Sequence, residues 1–429
     1  MQMEFLEVEI EKYQRRVDKI KANPDPTKLQ SNLQVYELER DERIAELEAW
    51  KQGKPFATGM FPPVLLKAMG FEIYDAEMAC DRMERWQVKK YLQRCRELGF
   101  PDQICDRTVL KIPVVLDEDF PNLSLVVASN WECENIPLTF QTLAHLRHIP
   151  YYYLDVPFEA NERTLQYVVE QLREVIDLAE SKVPGVKYDE EKLIEVQNIE
   201  RRWYELYHNI HRLKRKVPCP IPGQEAFKEP RWPSLYHDPA HALEIFQIYH
   251  DEIVERAEKG ISNVPEEKLR LMWAVSGPFY ARPDPFSILE KRGAQAIYFQ
   301  IGNSSRAAGL NFGIYGDETE YGRKLSPLEE EARILNQSAW GGLGTRWVDD
   351  ILIVCRDLKL DGIVYFQQWG CTVTDNLAKN VAEIAERELG IPTLIMEGRL
   401  LVDETFDPQQ MEDKLNGFAD ICLARKGMA

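Results

Sequence analysis

A chain of 429 residues exceeds what one compact core usually organises, so two or three domains are expected. A composition that is 44% hydrophobic and 29% charged excludes a disordered chain. A formal charge of −18 argues against a nucleic-acid backbone as the main partner, while leaving room for a local anion pocket. The first twenty residues are charged and lack the apolar stretch of a secretory signal, and no uncharged run reaches the roughly 20 residues that span a bilayer; a cytoplasmic protein without membrane attachment is expected.

Residues 3–50 are dense in Glu, Lys, Arg and Leu with helical apolar spacing, broken at Asn23-Pro24-Asp25-Pro26. They read as a helical arm over 1–50. The stretch PPVLLKAMGFEIYDA reads as a helix ending at Gly70 and a short strand. LSLVVAS (Leu123–Ser129) is a short branched apolar run, the mark of a buried parallel strand, and IPYYYLDVP reads as the next strand. Together they predict a first α/β lobe over 51–160. Residues 161–216 read as charged helix, and 217–240 hold six prolines and read as an irregular surface connection. A helix from about His241 to Gly260 completes a connecting segment over 161–265. Strands are then expected at 268–277, 294–301, 359–371 and in IPTLIMEG, with an amphipathic helix over 375–390 before the last. These form a second α/β lobe over 266–429. The expected fold class is therefore α/β, with two Rossmann- or flavodoxin-like lobes built on parallel sheets.

Ligands of open parallel sheets bind beyond the carboxyl ends of the strands. There the sequence offers Asn130-Trp131-Glu132-Cys133 after one strand and Gln367-Gln368-Trp369-Gly370-Cys371 after another. Thiolates at such tips suit an iron–sulfur cluster or zinc. Neither cysteine belongs to a CxxC pair, so buried packing is the competing reading for both. Among the eight cysteines, Cys95, Cys355 and Cys422 read as core residues, and Cys219 falls in the proline-rich connection.

The segment from Glu97 to Cys133, with Cys105 after a glycine–x–proline turn, resembles the first lobe of the 2-hydroxyacyl-CoA dehydratase and benzoyl-CoA reductase family. DGIVYFQQWGCTVTDNLAKNVAEIAERELGIPTLIMEGRLLVDE resembles its second lobe, and the likeness spans roughly residues 55–425. The resemblance implies a 4Fe-4S cluster held by Cys105, Cys133 and Cys371, with Cys80 as reserve ligand. One iron is left open to the thioester oxygen of an acyl-CoA substrate. It further implies a homologous iron–sulfur sister subunit and a separate ATP-hydrolysing iron–sulfur activator. Trp131 and Trp369 are expected to limit water at the cluster. No residue is assigned to the acyl group or to proton transfer.

Within that family, the long insertion around 217–246, Val64 where many dehydratase components carry glutamate, and Phe366 where relatives often have histidine lean toward a benzoyl-CoA reductase B-type subunit. The alternatives are a component of a radical 2-hydroxyacyl-CoA dehydratase and a non-catalytic electron-transfer subunit. Gly341-Gly342-Leu343-Gly344-Thr345-Arg346 matches neither a Walker loop nor a dinucleotide fingerprint. His208 and His211, three apart on a helical segment, read as surface or core residues rather than ligands. Arg282, Arg306 and Arg346 are candidates for CoA phosphates, with surface ion pairs as the default.

Overall fold

The computed structural model describes residues 4–60, 63–117, 123–131, 133–223, 231–275, 277, 283–299, 321–336, 344–402 and 407–427. Two helices open the chain, α1 (Glu4–Ala22) and α2 (Asn32–Lys51), separated where the paired prolines remove backbone donors. They lie against one another and bridge the lobes. Phe5, Leu6, Leu47 and Trp50 enter the first lobe's core, while Val35 and Leu38 enter the second's.

The first sheet has the order β2-β1-β3-β4 and is parallel throughout. Its strands are β1 (Phe56–Met60), β2 (Glu72–Ile73), β3 (Leu123–Ser129) and β4 (Tyr151–Leu154). Between β1 and β2 lies α3 (Val64–Ala68). Helices α4 (Ala76–Asp81), α5 (Arg85–Glu97) and α6 (Asp106–Asp117) precede β3, and α7 (Asn135–Arg147) follows it. The central strand β1 escaped the sequence reading. It is five residues long and interrupted by Thr58 and Gly59, so it shows no apolar run. Gly59 is obligatory there, since a Cβ would lie 1.5 Å from the Val127 carbonyl oxygen of the neighbouring strand.

The middle of the chain is α8 (Glu162–Lys182), α9 (Glu190–Leu213) and α10 (Pro239–Lys259). The expected surface connection is corrected in part. Cys219 and Ile221 are buried, and Arg256 donates to the Pro220 carbonyl while the Cys219 amide donates to Glu267. Pro220 and Pro222 are buried with them.

The second sheet repeats the plan of the first, with order β6-β5-β7-β8 and parallel pairing. It comprises β5 (Leu269–Ala274), β6 (Ala294–Phe299), β7 (Gly362–Gln368) and β8 (Thr393–Gly398). Its helices are α11 (Pro285–Glu290), α13 (Gly344–Leu358), α14 (Ala378–Leu389) and α15 (Pro408–Arg425). The remaining helix, α12 (Pro327–Asn336), packs on α8 and buries Leu328, Ala332 and Leu335 in the first lobe's core. Strand β7 shows why its sequence is nearly all apolar. Ile363 and Tyr365 face one core, and Val364 and Phe366 face another.

In each sheet the chain leaves the first strand in one direction and returns on its other side. The crevice between β1 and β3, and that between β5 and β7, are therefore topological switch points. The segments carrying Cys133 and Cys371 leave from these two points.

Candidate metal centre

Cys133 follows β3 and stands two residues before α7; Cys371 follows β7 and precedes a 3-10 turn at Asp375–Leu377 that leads into α14. Cys105 comes from neither sheet. It immediately precedes α6, and its carbonyl accepts the first helical bond from Val109 N–H at 3.2 Å. Three separate segments thus bring their thiols to the junction of the lobes, each near the start of a helix. Nearby backbone N–H groups work to lower the pKa of each thiol: Thr108 for Cys105, Ile136 for Cys133, and Val373 and Thr374 for Cys371. Orphan amides and the positive end of a helix favour a thiolate.

The three sulfurs feel one another. Burial raises the pKa of the Cys133 thiol well above its ordinary value, and charges on Cys371 and Cys105 raise it further. Burial raises that of Cys105, with Asp106 and Cys371 adding to it. Burial raises that of Cys371 as well, against donation from Thr374. Left to themselves, thiols so placed keep their protons; a bound cation is what makes several thiolates tolerable in one buried place. The donor chemistry, three thiols whose charges bear on one another, therefore suits a metal centre. Among the described residues, no group of three or more His, Cys, Asp or Glu side chains is already arranged to hold a metal ion.

The junction is closed by contacts between lobes. Gly370, at φ +85°, lies so near residues 103–105 that a Cβ would fall 2.6 Å from both Cys105 N and Gln103 O. Asn135 Nδ2 donates to Gly370 O at 3.2 Å, and Thr372 Oγ1 donates to Glu134 at 3.0 Å. Arg399 donates to the carbonyls of Asp102 and Ile104, and Leu401 N–H donates to Asp106 Oδ2 at 2.8 Å. Gln368 Nε2 donates to Cys105 Sγ at 2.8 Å. Beneath the thiols, Lys111 pairs with Glu77 at nearly zero exposure and lies 4.3 Å from the Phe140 ring centroid. The Glu77 charge bears on both Cys105 and Cys133.

Sequence reasoning missed Gln368, Asn135, Gly370 and the Glu77–Lys111 pair. Two glutamines closing an apolar strand, with a glycine two residues beyond, were the available signal.

The tryptophans divide. Trp131 is fully buried, but its ring packs 5.9 Å from that of Trp232 in the core across the sheet from the one Cys133 adjoins. Trp369 is 43% exposed, with Nε1 3.5 Å from Glu397, so it stands on the rim of the site. Cys80 is buried, and its thiol donates to the Ala76 carbonyl of its own helix at 3.4 Å. Cys95, Cys219, Cys355 and Cys422 are core residues.

His211 is buried with Nε2 3.5 Å from Asp357, and burial holds its pKa low. Arg346 donates to the carbonyls of Asn336 and Phe158. Arg282, Arg306 and Gly341 to Leu343 lie outside the described residues. Val64 and Phe366 are fully packed core positions, so the apolar residues at these two places are explained by packing alone. No described helix is long and apolar enough to cross a membrane.

A family model described as 2-hydroxyglutaryl-CoA dehydratase, D-component, matches residues 58–421. The alpha subunit of (R)-2-hydroxyglutaryl-CoA dehydratase from Acidaminococcus fermentans is 21% identical over 70% of this chain; the match covers 60% of that relative. The (R)-phenyllactyl-CoA dehydratase alpha subunit of Clostridium sporogenes is 20% identical, over 89% of this chain and 92% of its own length. Lactoyl-CoA dehydratase subunit alpha of Anaerotignum propionicum is 21% identical over 72% of each. All three names are those of dehydratases. They support the dehydratase alternative and give no support to the leaning toward benzoyl-CoA reductase.

Proposed function

Because the chain belongs to the 2-hydroxyglutaryl-CoA dehydratase D-component family, we propose that it is a subunit of a 2-hydroxyacyl-CoA dehydratase holding a 4Fe-4S cluster through Cys105, Cys133 and Cys371. The observation that supports this reading is the close packing, at the junction of the two lobes, of the three segments that carry these thiols, up to 266 residues apart in the chain: Gly370 lies against Cys105 N, and Asn135 donates to Gly370 O. Thiolates bound to different irons of one cluster stand further apart than ligands sharing a single ion. A looser gathering of three cysteines is what such a centre requires.

A cluster bound here would supply single electrons at low potential to the carbonyl of an acyl-CoA thioester. The chain's residues do the rest. The N–H groups of Thr108, Ile136, Val373 and Thr374 bear on the sulfur charge. The packed walls around Cys105 exclude water from one side, while the half-buried Cys133 and Cys371 leave the other side approachable. A sister subunit completes the assembly, consistent with the relatives being alpha subunits, and a separate activator that hydrolyses ATP supplies the electron.

Dehydration returns the electron after each turnover, whereas ring reduction consumes it. The assay is therefore reductant consumed per product formed from a 2-hydroxyacyl-CoA, with the complex purified without oxygen. Product far in excess of reductant is expected. Consumption of two electrons per product would return the reading to the reductase.

A further inference from the structure

Gln368 is the last residue of β7, whose residues Ile363 to Phe366 are apolar and divided between two cores. Its own side chain is only 4% exposed. Burying a carboxamide is costly unless it is hydrogen bonded. Among the described residues, the bond this amide makes is to a sulfur: Nε2 donates to Cys105 Sγ at 2.8 Å. An amide N–H can only donate, so the sulfur must accept, and an anionic thiolate accepts far better than a neutral thiol.

The donor and the sulfur belong to different lobes. Gln368 ends a strand of the second sheet, and Cys105 opens a helix packed on the first. Gly370, two residues on, lies against the backbone of Cys105 and so fixes the approach. Gln367 provides an internal contrast. Strand alternation turns it the other way, and its amide reaches the Asp375 carbonyl at 3.5 Å.

We propose that Gln368 is a positioning residue for a redox-active centre on Cys105, holding the thiolate's charge from across the lobe junction and making that centre easier to reduce. The inference rests on the cluster reading above and deepens it. Adding an electron increases the negative charge shared by the metal and its thiolates. A donor already directed at one sulfur stabilises the reduced form more than the oxidised one. The same bond ties the reducibility of the centre to the seating of one lobe on the other, since only an intact junction brings the amide to the sulfur.

The test uses the full chain purified without oxygen as wild type, Gln368→Met, Gln368→Glu and Gln367→Met. Iron per chain is counted first, and the reduction midpoint is then measured spectroscopically against redox dyes, with no substrate present. The expected result is wild-type iron in all four and a more negative midpoint in Gln368→Met. Gln368→Glu, which replaces the donor with a negative charge, shifts it further, and Gln367→Met matches wild type. A purely structural glutamine would change stability and leave the midpoint in place.

An unshifted midpoint in Gln368→Met with iron retained overturns the proposal, as does an equal shift in Gln367→Met. Loss of iron from both Gln368 variants also overturns it, because tuning one sulfur is not needed to assemble the site. Should Gln368→Glu alone lose iron, Gln368→Met decides. Wild type without iron is a different failure: it removes the cluster reading and this inference with it.

Discussion

Gly370→Ala perturbs a place where the backbones of the two lobes touch beside the thiols. Its φ of +85° costs a residue with a Cβ roughly 1–2 kcal/mol. The added methyl would meet Cys105 N and Gln103 O at 2.6 Å and Ile104 C at 2.8 Å. These are backbone atoms at the start of α6, unable to swing aside like a side-chain tip, so residues 103–105 must withdraw by most of an ångström. Overfilling of this kind costs roughly 1–3 kcal/mol. Together the expected loss is about 2–5 kcal/mol, a large part of the stability of an ordinary domain. Withdrawal would also lengthen the Gln368–Cys105 and Asn135–Gly370 hydrogen bonds. The assay is a urea titration, paired with the maleimide labelling rate of Cys105 read by peptide mass spectrometry. Gly417→Ala, on an exposed stretch of α15 with nothing within 4 Å of the new methyl, is the control and should gain about 0.5–1 kcal/mol. A Gly370→Ala protein as stable as wild type, with Cys105 equally protected, would refute the close junction on which the site depends.

Other perturbations read other parts of the structure. Lys111→Met strands the Glu77 carboxylate at about 1% exposure and should cost about 3–5 kcal/mol in a denaturant titration; replacing Glu77 by Met as well should recover much of it. Glu46, buried beside Glu42 and Glu9, is pushed up to about 7 mainly by burial. The stability its protonated form contributes is complete below about pH 4.5 and is lost as pH rises to about 7. Glu46→Gln should therefore gain on the order of 2–3 kcal/mol at pH 8 and little at pH 4.5, measured as denaturation midpoints at both. Glu39 works the opposite way. Burial would raise it, but Arg231, Arg43 and Arg82 hold it down to about 2, so its contribution is present above about pH 4.5 and fades toward pH 2. Gly59→Ala should give no soluble folded protein by expression and size-exclusion chromatography, because the Val127 carbonyl occupies the position of its methyl.

The strands that could be read from sequence are those buried on both faces. Leu123–Ser129 and Gly362–Gln368 carry apolar runs, Leu125–Ala128 and Ile363–Phe366, because helices cover both sides of each sheet. Phe56–Met60 could not be read this way, although it is central, because Gly59 is dictated by a neighbouring backbone that local sequence does not reveal. The cysteines divide similarly. Cys133 and Cys371 could be placed by the general rule for parallel sheets, whereas Cys105 follows no strand and joins them only through tertiary packing. Their spacing carries no signal, and resemblance to a family was what singled them out together. Trp369 stands on the rim because a residue following a strand tip can turn outward as readily as inward. Gln368 stayed invisible because an amide gains its meaning only from the sulfur it reaches.

The central claim is that Cys105, Cys133 and Cys371 jointly hold one iron–sulfur centre. Iron per chain, counted after purification without oxygen for wild type and for serine variants of each cysteine, tests it most directly. The account predicts about four irons in wild type, a marked loss in Cys105→Ser, Cys133→Ser and Cys371→Ser, and wild-type iron in Cys355→Ser, whose thiol is buried in the second lobe's core. Iron-free wild type, or equal loss in all four variants, would contradict it.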